Sequence, residues 1–182
     1  MDAALEQKVR ALLAKQEITE LLYHRARMLD RHDPSQMDSF TADATTTHEG
    51  WHGTMEEFLA TRSGTAPGRP KGEIMAHFIC DVLVYLDDEA HARVHSYHMC
   101  TSTTPPEIEP RFDRIGVGRY FDWVVHTESG WKIKHRDAVF DWQISIPAGQ
   151  RAWAAHVGSE HMLIGRNDRS DPFFSRFHEL KH

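Results

Sequence analysis

The second half of this chain constrains its fold most. It holds four long runs rich in β-branched and aromatic residues, namely His77–Leu86, His91–Thr103, Ile115–His126 and Trp131–Ile146. Asp87-Asp88-Glu89 and Glu128-Ser129-Gly130 have the composition of hairpin turns, and "TPPEIEP" separates the middle pair. Strands returning through turns this short pair antiparallel, because a parallel pair needs a crossover of about a dozen residues or more. The N-terminal third carries a different period. Leu5, Val9, Leu12 and Leu13, then Ile18, Leu21, Leu22, Ala26 and Leu29, recur in steps of three and four, which predicts one helix from Ala4 to Arg31. Asp33-Pro34 stops that helix, since the residue before a proline is pushed out of the α region. The same pair starts a second helix reaching Phe40, with Asp33 as N-cap, Pro34 at the first position and Gln36 where a capping box wants it. Ala44–Gly50 reads as a short strand. Thr54 and Glu57 form another capping-box pair and predict a third helix to about Arg62.

Helices followed by strands give an α+β domain. It occupies residues 1–182, with a core over about 5–147 and a C-terminal extension over 148–182 that is expected to hold a short helix near Arg151–Val157. "SGTAPGRPKG" reads as a loop. Hydrophobic residues make up 40% and charged residues 26%, the balance of a soluble globular chain. No apolar run approaches the roughly 20 residues that span a bilayer. The net charge of −6 argues against nucleic-acid or anionic-membrane partners. Two cysteines and a charged, amphipathic N-terminus fit a reducing cytoplasm.

The sheet pattern does not separate a wet face from a dry one. In His77–Leu86 one parity gives Phe78, Cys80, Val82, Val84 and Leu86, and the other gives His77, Ile79, Asp81, Leu83 and Tyr85. An antiparallel sheet with one solvated face alternates more cleanly. A sheet wrapped around a ligand pocket would look like this, and so would an oligomer interface.

No phosphate-binding glycine loop, dinucleotide fingerprint or nucleophile elbow is present. Gly116-Val117-Gly118 lies in a strand pattern and reads as a bulge or a close-packing site. Cys80 and Cys100 read as buried, inert thiols. The 14 histidines are scattered. His95 and His98 are three apart in a strand, which puts them on opposite faces, and no metal-ligand spacing such as His-Glu-x-x-His occurs; no metal site is expected. The remaining oddity is Asp30, an acid that ends the apolar stripe of the first helix at the pole where carboxylates are disfavoured by roughly 0.3–1 kcal/mol. His77 begins an apolar strand run. An Asp placed beside a His can orient the imidazole and fix its tautomer for proton transfer, but spacing alone does not bring these two together.

Three blocks carry a family resemblance. They are "KQEITELLYHRARMLDRHDPSQMDSFTADATTTHEG", "MAHFICDVLVYLDDEAHARVHSY" and "GRYFDWVVHTESGWKIKHRDAVFDW". In order and spacing they resemble the SnoaL-like branch of the nuclear-transport-factor-2-like superfamily, with a pattern similar to scytalone dehydratase, the bile-acid dehydratases and hexachlorocyclohexane dehydrochlorinase. The resemblance implies a cone-shaped α+β barrel, with helices packed on a strongly curved, mixed but mostly antiparallel sheet that encloses one pocket. It also implies a homotrimer that uses no cofactor. In those relatives an Asp ending the first long helix and a His opening the strand after the third helix form the catalytic dyad. Asp30 in "MLDRHD" and His77 in "MAHFIC" match these positions. Arg136 in "WKIKHRDAV" matches a pocket arginine, His98 (or His95) a further polar group, and Tyr120 a substrate-binding position. Leu29 departs from the tyrosine that precedes the Asp in scytalone dehydratase, and Tyr23, seven residues before Asp30, is the candidate to supply that hydroxyl.

The implied function is a cofactor-independent lyase, a dehydratase acting on a hydrophobic ring-containing small molecule. The alternatives are a non-catalytic ligand-binding or β-subunit-type domain, and an isomerase or polyketide cyclase that begins with the same proton abstraction.

Overall fold

The structure is a computed structural model and describes residues 2–62, 74–104, 108–148, 163, 165–166 and 168–177. Helix α1 spans Ala3–Asp30, with Asp2 as N-cap accepting from Ala4 N at 3.2 Å. Its second half buries Ile18, Leu22, Ala26 and Met28. Its first half leaves Leu5, Val9, Leu12 and Leu13 exposed, although they continue the same stripe. The next helix is 3-10 rather than α, over Pro34–Ser39. Asp33 caps it as expected, accepting from Ser35 N at 2.9 Å, but Ser and Asp side chains compete for the backbone and six residues are too few to favour an α-helix.

Strand β1 (Phe40–His48) follows at once, longer than the sequence pattern implies, and turns through Glu49-Gly50 into a short β2 (Trp51–Thr54) that the pattern does not reveal. The Thr54–Glu57 capping box forms as expected, with Glu57 N donating to Thr54 Oγ1 and Thr54 N to Glu57 Oε2, both at 3.2 Å; it opens α2 (Met55–Arg62). The four long strands are β3 (Ile74–Leu86), β4 (His91–Thr103), β5 (Phe112–Thr127) and β6 (Gly130–Pro147). Helix α3 (Pro172–Phe177) closes the described chain. The helix expected at 151–157 lies outside the described residues.

The sheet runs β2-β1-β6-β5-β4-β3, antiparallel throughout except for the parallel β1·β6 pair. It is mixed, as expected. The six strands do not close into a complete barrel, since β2 and β3 remain edges. On the concave face, Ile18 and Leu22 of α1 join Phe40, Val94, Val124 and Ile133 in the core.

One bulge corrects the face assignment of β3. The pairing with β4 shifts between Cys80 and Leu83, where Asp81 takes a left-handed φ of +48°, a conformation Asp tolerates better than most residues. The parity therefore flips in mid-strand. Val82, Val84 and Leu86 pack on the core, whereas Phe78 and Cys80 face out. Cys80 is consequently exposed, not buried, and Cys100 is half-buried.

After β6, the segment around α3 docks on the C-terminal end of α1. Asp171 accepts from Arg31 Nε at 3.0 Å, Arg169 Nη2 donates to the buried Asp33 at 3.0 Å, and Phe173 lies under the Arg31 guanidinium. Burial pushes the Asp33 carboxyl up, but the Ser35 hydrogen bonds and Arg169 outweigh it and leave it below the usual range.

Candidate active site

Asp30 ends α1 beside β3, and β3 begins three residues before His77, so the histidine lies within the strand rather than at its start. The two residues meet. His77 N donates to both carboxylate oxygens of Asp30, at 3.1 and 3.0 Å, and Nδ1 lies 2.6 Å from Oδ1. This explains an acid at the negative pole of a helix: three donor contacts offset the unfavourable dipole. A carboxylate only accepts, so Nδ1 is the donor, and in the neutral imidazole this tautomer leaves the lone pair on Nε2. Both side chains are nearly enclosed.

His77 lines a cavity of about 640 Å³ between the helices and the concave face of the sheet. That volume suits a molecule of one to a few rings. Leu29, Phe58, Leu59, Met75, Phe140 and Trp142 supply apolar wall, while His48, Glu49, Arg114 and Gln143 add polar positions. Asp30 is not a lining residue; it stands behind His77 and positions it.

The register settles which β4 histidine faces inward. His98 lines the cavity, whereas His95 stacks on Phe121, another residue of odd parity, with ring centroids 4.9 Å apart. His98 stacks on Tyr120 at 4.1 Å and 12°, and the Arg136 guanidinium sits 4.0 Å from the Tyr120 centroid. The three come from adjacent strands and form a column. Gly118 makes room for it: a Cβ there would stand 2.2 Å from Val139 O and 2.7 Å from His98 Cε1. A bulge also falls between Val117 and Gly118, so both expectations for this glycine hold. Burial, with help from His77, Arg136 and Arg25, lowers the His98 pKa to about 4, so its imidazole is neutral near pH 7. Burial raises the Tyr120 hydroxyl above its usual range.

The residues expected to bind substrate therefore divide. His98 and Tyr120 line the cavity together with His77. Arg136 does not. It lies behind Tyr120, is 2% exposed, and is fixed by Asp122 through Nε at 2.6 Å and Nη2 at 2.8 Å. Burial pulls its pKa down, but the Asp122 carboxylate outweighs this and the guanidinium ends above its usual range. Tyr23 is outside altogether. It is 39% exposed, because it falls one residue past Leu22 and so about 100° off the buried stripe. Seven residues also put it two turns, roughly 10 Å, from Asp30 along the axis.

Besides Arg114, the cavity is lined by Arg25, which the sequence reading passed over. Its signal was present: it stands three residues after Leu22 and four before Leu29, a charge inside the apolar stripe. Among the described residues, no group of three or more His, Cys, Asp or Glu side chains is placed to hold a metal. No helix among them is long and apolar enough to cross a membrane.

Solved structures share this architecture. A scytalone dehydratase-like protein from Novosphingobium aromaticivorans is 20% identical, with a TM-score of 0.65, over 79% of this chain and 93% of that one. A hexachlorocyclohexane dehydrochlorinase from Novosphingobium barchaimii is 12% identical, with a TM-score of 0.66, over 79% and 97%. The β subunit of a benzoate 1,2-dioxygenase from Burkholderia mallei is 18% identical, with a TM-score of 0.54, over 68% and 88%. No curated protein matches the sequence. At these identities the likeness concerns the fold. The family rests on a separate match, that of residues 10–137 to the SnoaL-like domain, and this chain belongs to the SnoaL-like family.

Proposed function

We propose that the protein is a cofactor-independent lyase of the dehydratase type, acting on a hydrophobic ring-containing molecule. The observation that carries this reading is the Asp30–His77 pair, with its 2.6 Å contact, beside an apolar cavity of about 640 Å³. His77 Nε2 removes a proton from the carbon next to the one that loses its substituent. As the leaving hydroxyl departs with the electrons of its bond to carbon, a double bond forms. The protonated Nε2 then returns its proton to that oxygen, and water leaves. Asp30 holds the ring and balances its charge while the proton is on it. Tyr120 and His98 give the ring system a flat aromatic wall.

An isomerase or cyclase would share the first step and differ only in where the electron pair goes. The dioxygenase β subunit among the solved structures keeps the non-catalytic reading in view, because fold alone does not assign activity. The apolar outer face of the sheet and the exposed apolar half of α1 support a homotrimer.

The reading is tested by incubating the purified protein with a panel of cyclic β-hydroxy ketones in heavy water. Conjugated-enone absorbance, or deuterium at the α carbon of unreacted substrate, is expected for the native protein and should be lost in His77→Gln. Neither enone nor exchange with any member of the panel, or an equal yield of either in His77→Gln, would overturn it.

A further inference from the structure

Two buried arginines lie close together on the concave side, and they differ in one respect. Arg136 has a carboxylate of its own in Asp122. Arg25 has none. It is 4% exposed, it lines the cavity, and among the described residues nothing accepts a hydrogen bond from its Nε or Nη1. A buried cation without a hydrogen-bonded partner is costly, by several kcal/mol after relaxation. Neither nearby acid is free to serve it: Asp122 is held by Arg136, and Asp30 accepts three donor contacts from His77. The Arg25 side chain stacks loosely toward Phe40, 5.6 Å from the ring, which satisfies none of its donors.

We infer that Arg25 holds the oxygen on which negative charge develops when His77 removes the proton, and hence that the acidic carbon of the substrate stands next to a carbonyl group. This rests on the proton-abstraction reading for the source of the charge.

The charges around the site fit that sequence of events. Arg25 and Asp30 come from α1, His77 from β3, His98 from β4, Tyr120 and Asp122 from β5, and Arg136 from β6. With His77 neutral, Arg25 and Arg136 face Asp30 and Asp122, and the further wall charges are Arg114, Glu49 and Asp141, the last ion-paired with Arg119, so the cluster is balanced. A proton on His77 leaves one positive charge in excess in a poorly solvated place. The electron pair released from the C–H bond moves onto the carbonyl oxygen, and an enolate at Arg25 cancels that excess. His98, with its pKa near 4, stays neutral and does not compete as the cation. Burial, followed by repulsion from Arg136, lowers the Arg25 pKa only to about 10, so the guanidinium remains charged at neutral pH. A permanently anionic substrate would instead leave the balanced cluster one negative charge in excess before any chemistry began.

The test uses 4-nitrophenol as an enolate mimic, because its phenolate absorbs at longer wavelength than its phenol. With the full chain, the bound ligand should be largely phenolate at a pH where the free ligand is largely phenol. Arg25→Met should lose that preference by at least about tenfold, the scale of one lost charge-assisted hydrogen bond. Arg25→Lys should keep part of it, and it covers the case in which the Met variant folds poorly. His77→Gln should keep the preference while losing α-deuterium exchange, so failure of the base and failure of the oxyanion site read out separately. Binding with no phenolate preference, absence of binding at millimolar ligand, or wild-type preference in folded Arg25→Met overturns the inference. Bromide displacing the phenolate at millimolar concentration, with the same dependence on Arg25, would assign the arginine to a departing halide and overturn the carbonyl assignment.

Discussion

The two faces of the sheet invert the usual arrangement. The outer face exposes Phe78, Leu83, Tyr85, Tyr97, Phe121 and Trp123. The inner face buries Asp122, Arg136 and His98 and receives Arg25 from α1. A soluble chain normally hides the first set and solvates the second. The inner charges are tolerated because most are paired or stacked; among the described residues Arg25 keeps two unbonded donors, Nε and Nη1, on the cavity wall, and Arg136 keeps one, Nη1. The outer apolar set has no such account within one chain, which is why it supports assembly.

The largest effect expected from breaking this contrast is on the inner face. Asp122→Ala removes the carboxylate bonded to Arg136 and leaves two buried arginines adjacent, so stability should fall by about 3–5 kcal/mol. Urea unfolding midpoints check this, and a loss under about 1 kcal/mol would mean that the guanidiniums find other acceptors. On the outer face, Trp123→Lys should weaken assembly by about 2 kcal/mol or more, as a central interface aromatic does. Light scattering should then report a mass falling from three times the 21.0 kDa chain mass toward one. A native protein that is already monomeric at micromolar concentration would remove the case for the trimer.

A smaller effect is pH-dependent. His98 titrates near 4 in the folded chain against an ordinary 6.5. Between those values the unfolded chain binds a proton that the folded one refuses. Stability from this source is therefore complete above about pH 6.5, falls as the pH drops toward 4, and is flat below. His98→Gln should remove that part of the acid sensitivity in urea midpoints measured from pH 7 to pH 4.5. An unchanged slope would place the sensitivity elsewhere. The smallest effect belongs to Tyr23→Phe. An exposed hydroxyl outside the cavity should cost under about 0.5 kcal/mol and leave turnover unchanged.

Much of this was legible in the sequence, for identifiable reasons. The two long hairpins are written in Asp87-Asp88-Glu89 and Glu128-Ser129-Gly130, and the α2 start in Thr54 and Glu57, because these are local hydrogen-bond codes. What was misread depends on non-local or low-signal geometry. The bulge at Asp81 reverses the parity of β3 without any glycine to mark it. Strand β2 has only four residues, too few for a period to show. At the site, Asp30 and His77 are 47 residues apart, so only the family resemblance joined them in advance. The same resemblance pointed to Arg136, whose guanidinium turned out to lie beneath Tyr120, while Arg25 lines the wall.

The central claim is that Asp30 and His77 work as one unit at the cavity wall. A double-mutant cycle on any substrate found in the ketone panel tests it most directly, with turnover measured for Asp30→Ala, His77→Ala and the double variant. Each single variant should lose roughly 10²–10⁴-fold, the range of a positioned acid–base group, and the double variant should lose little more than either. Losses that multiply, or a single Asp30→Ala variant with native turnover, would show that the 2.6 Å contact has no part in the chemistry.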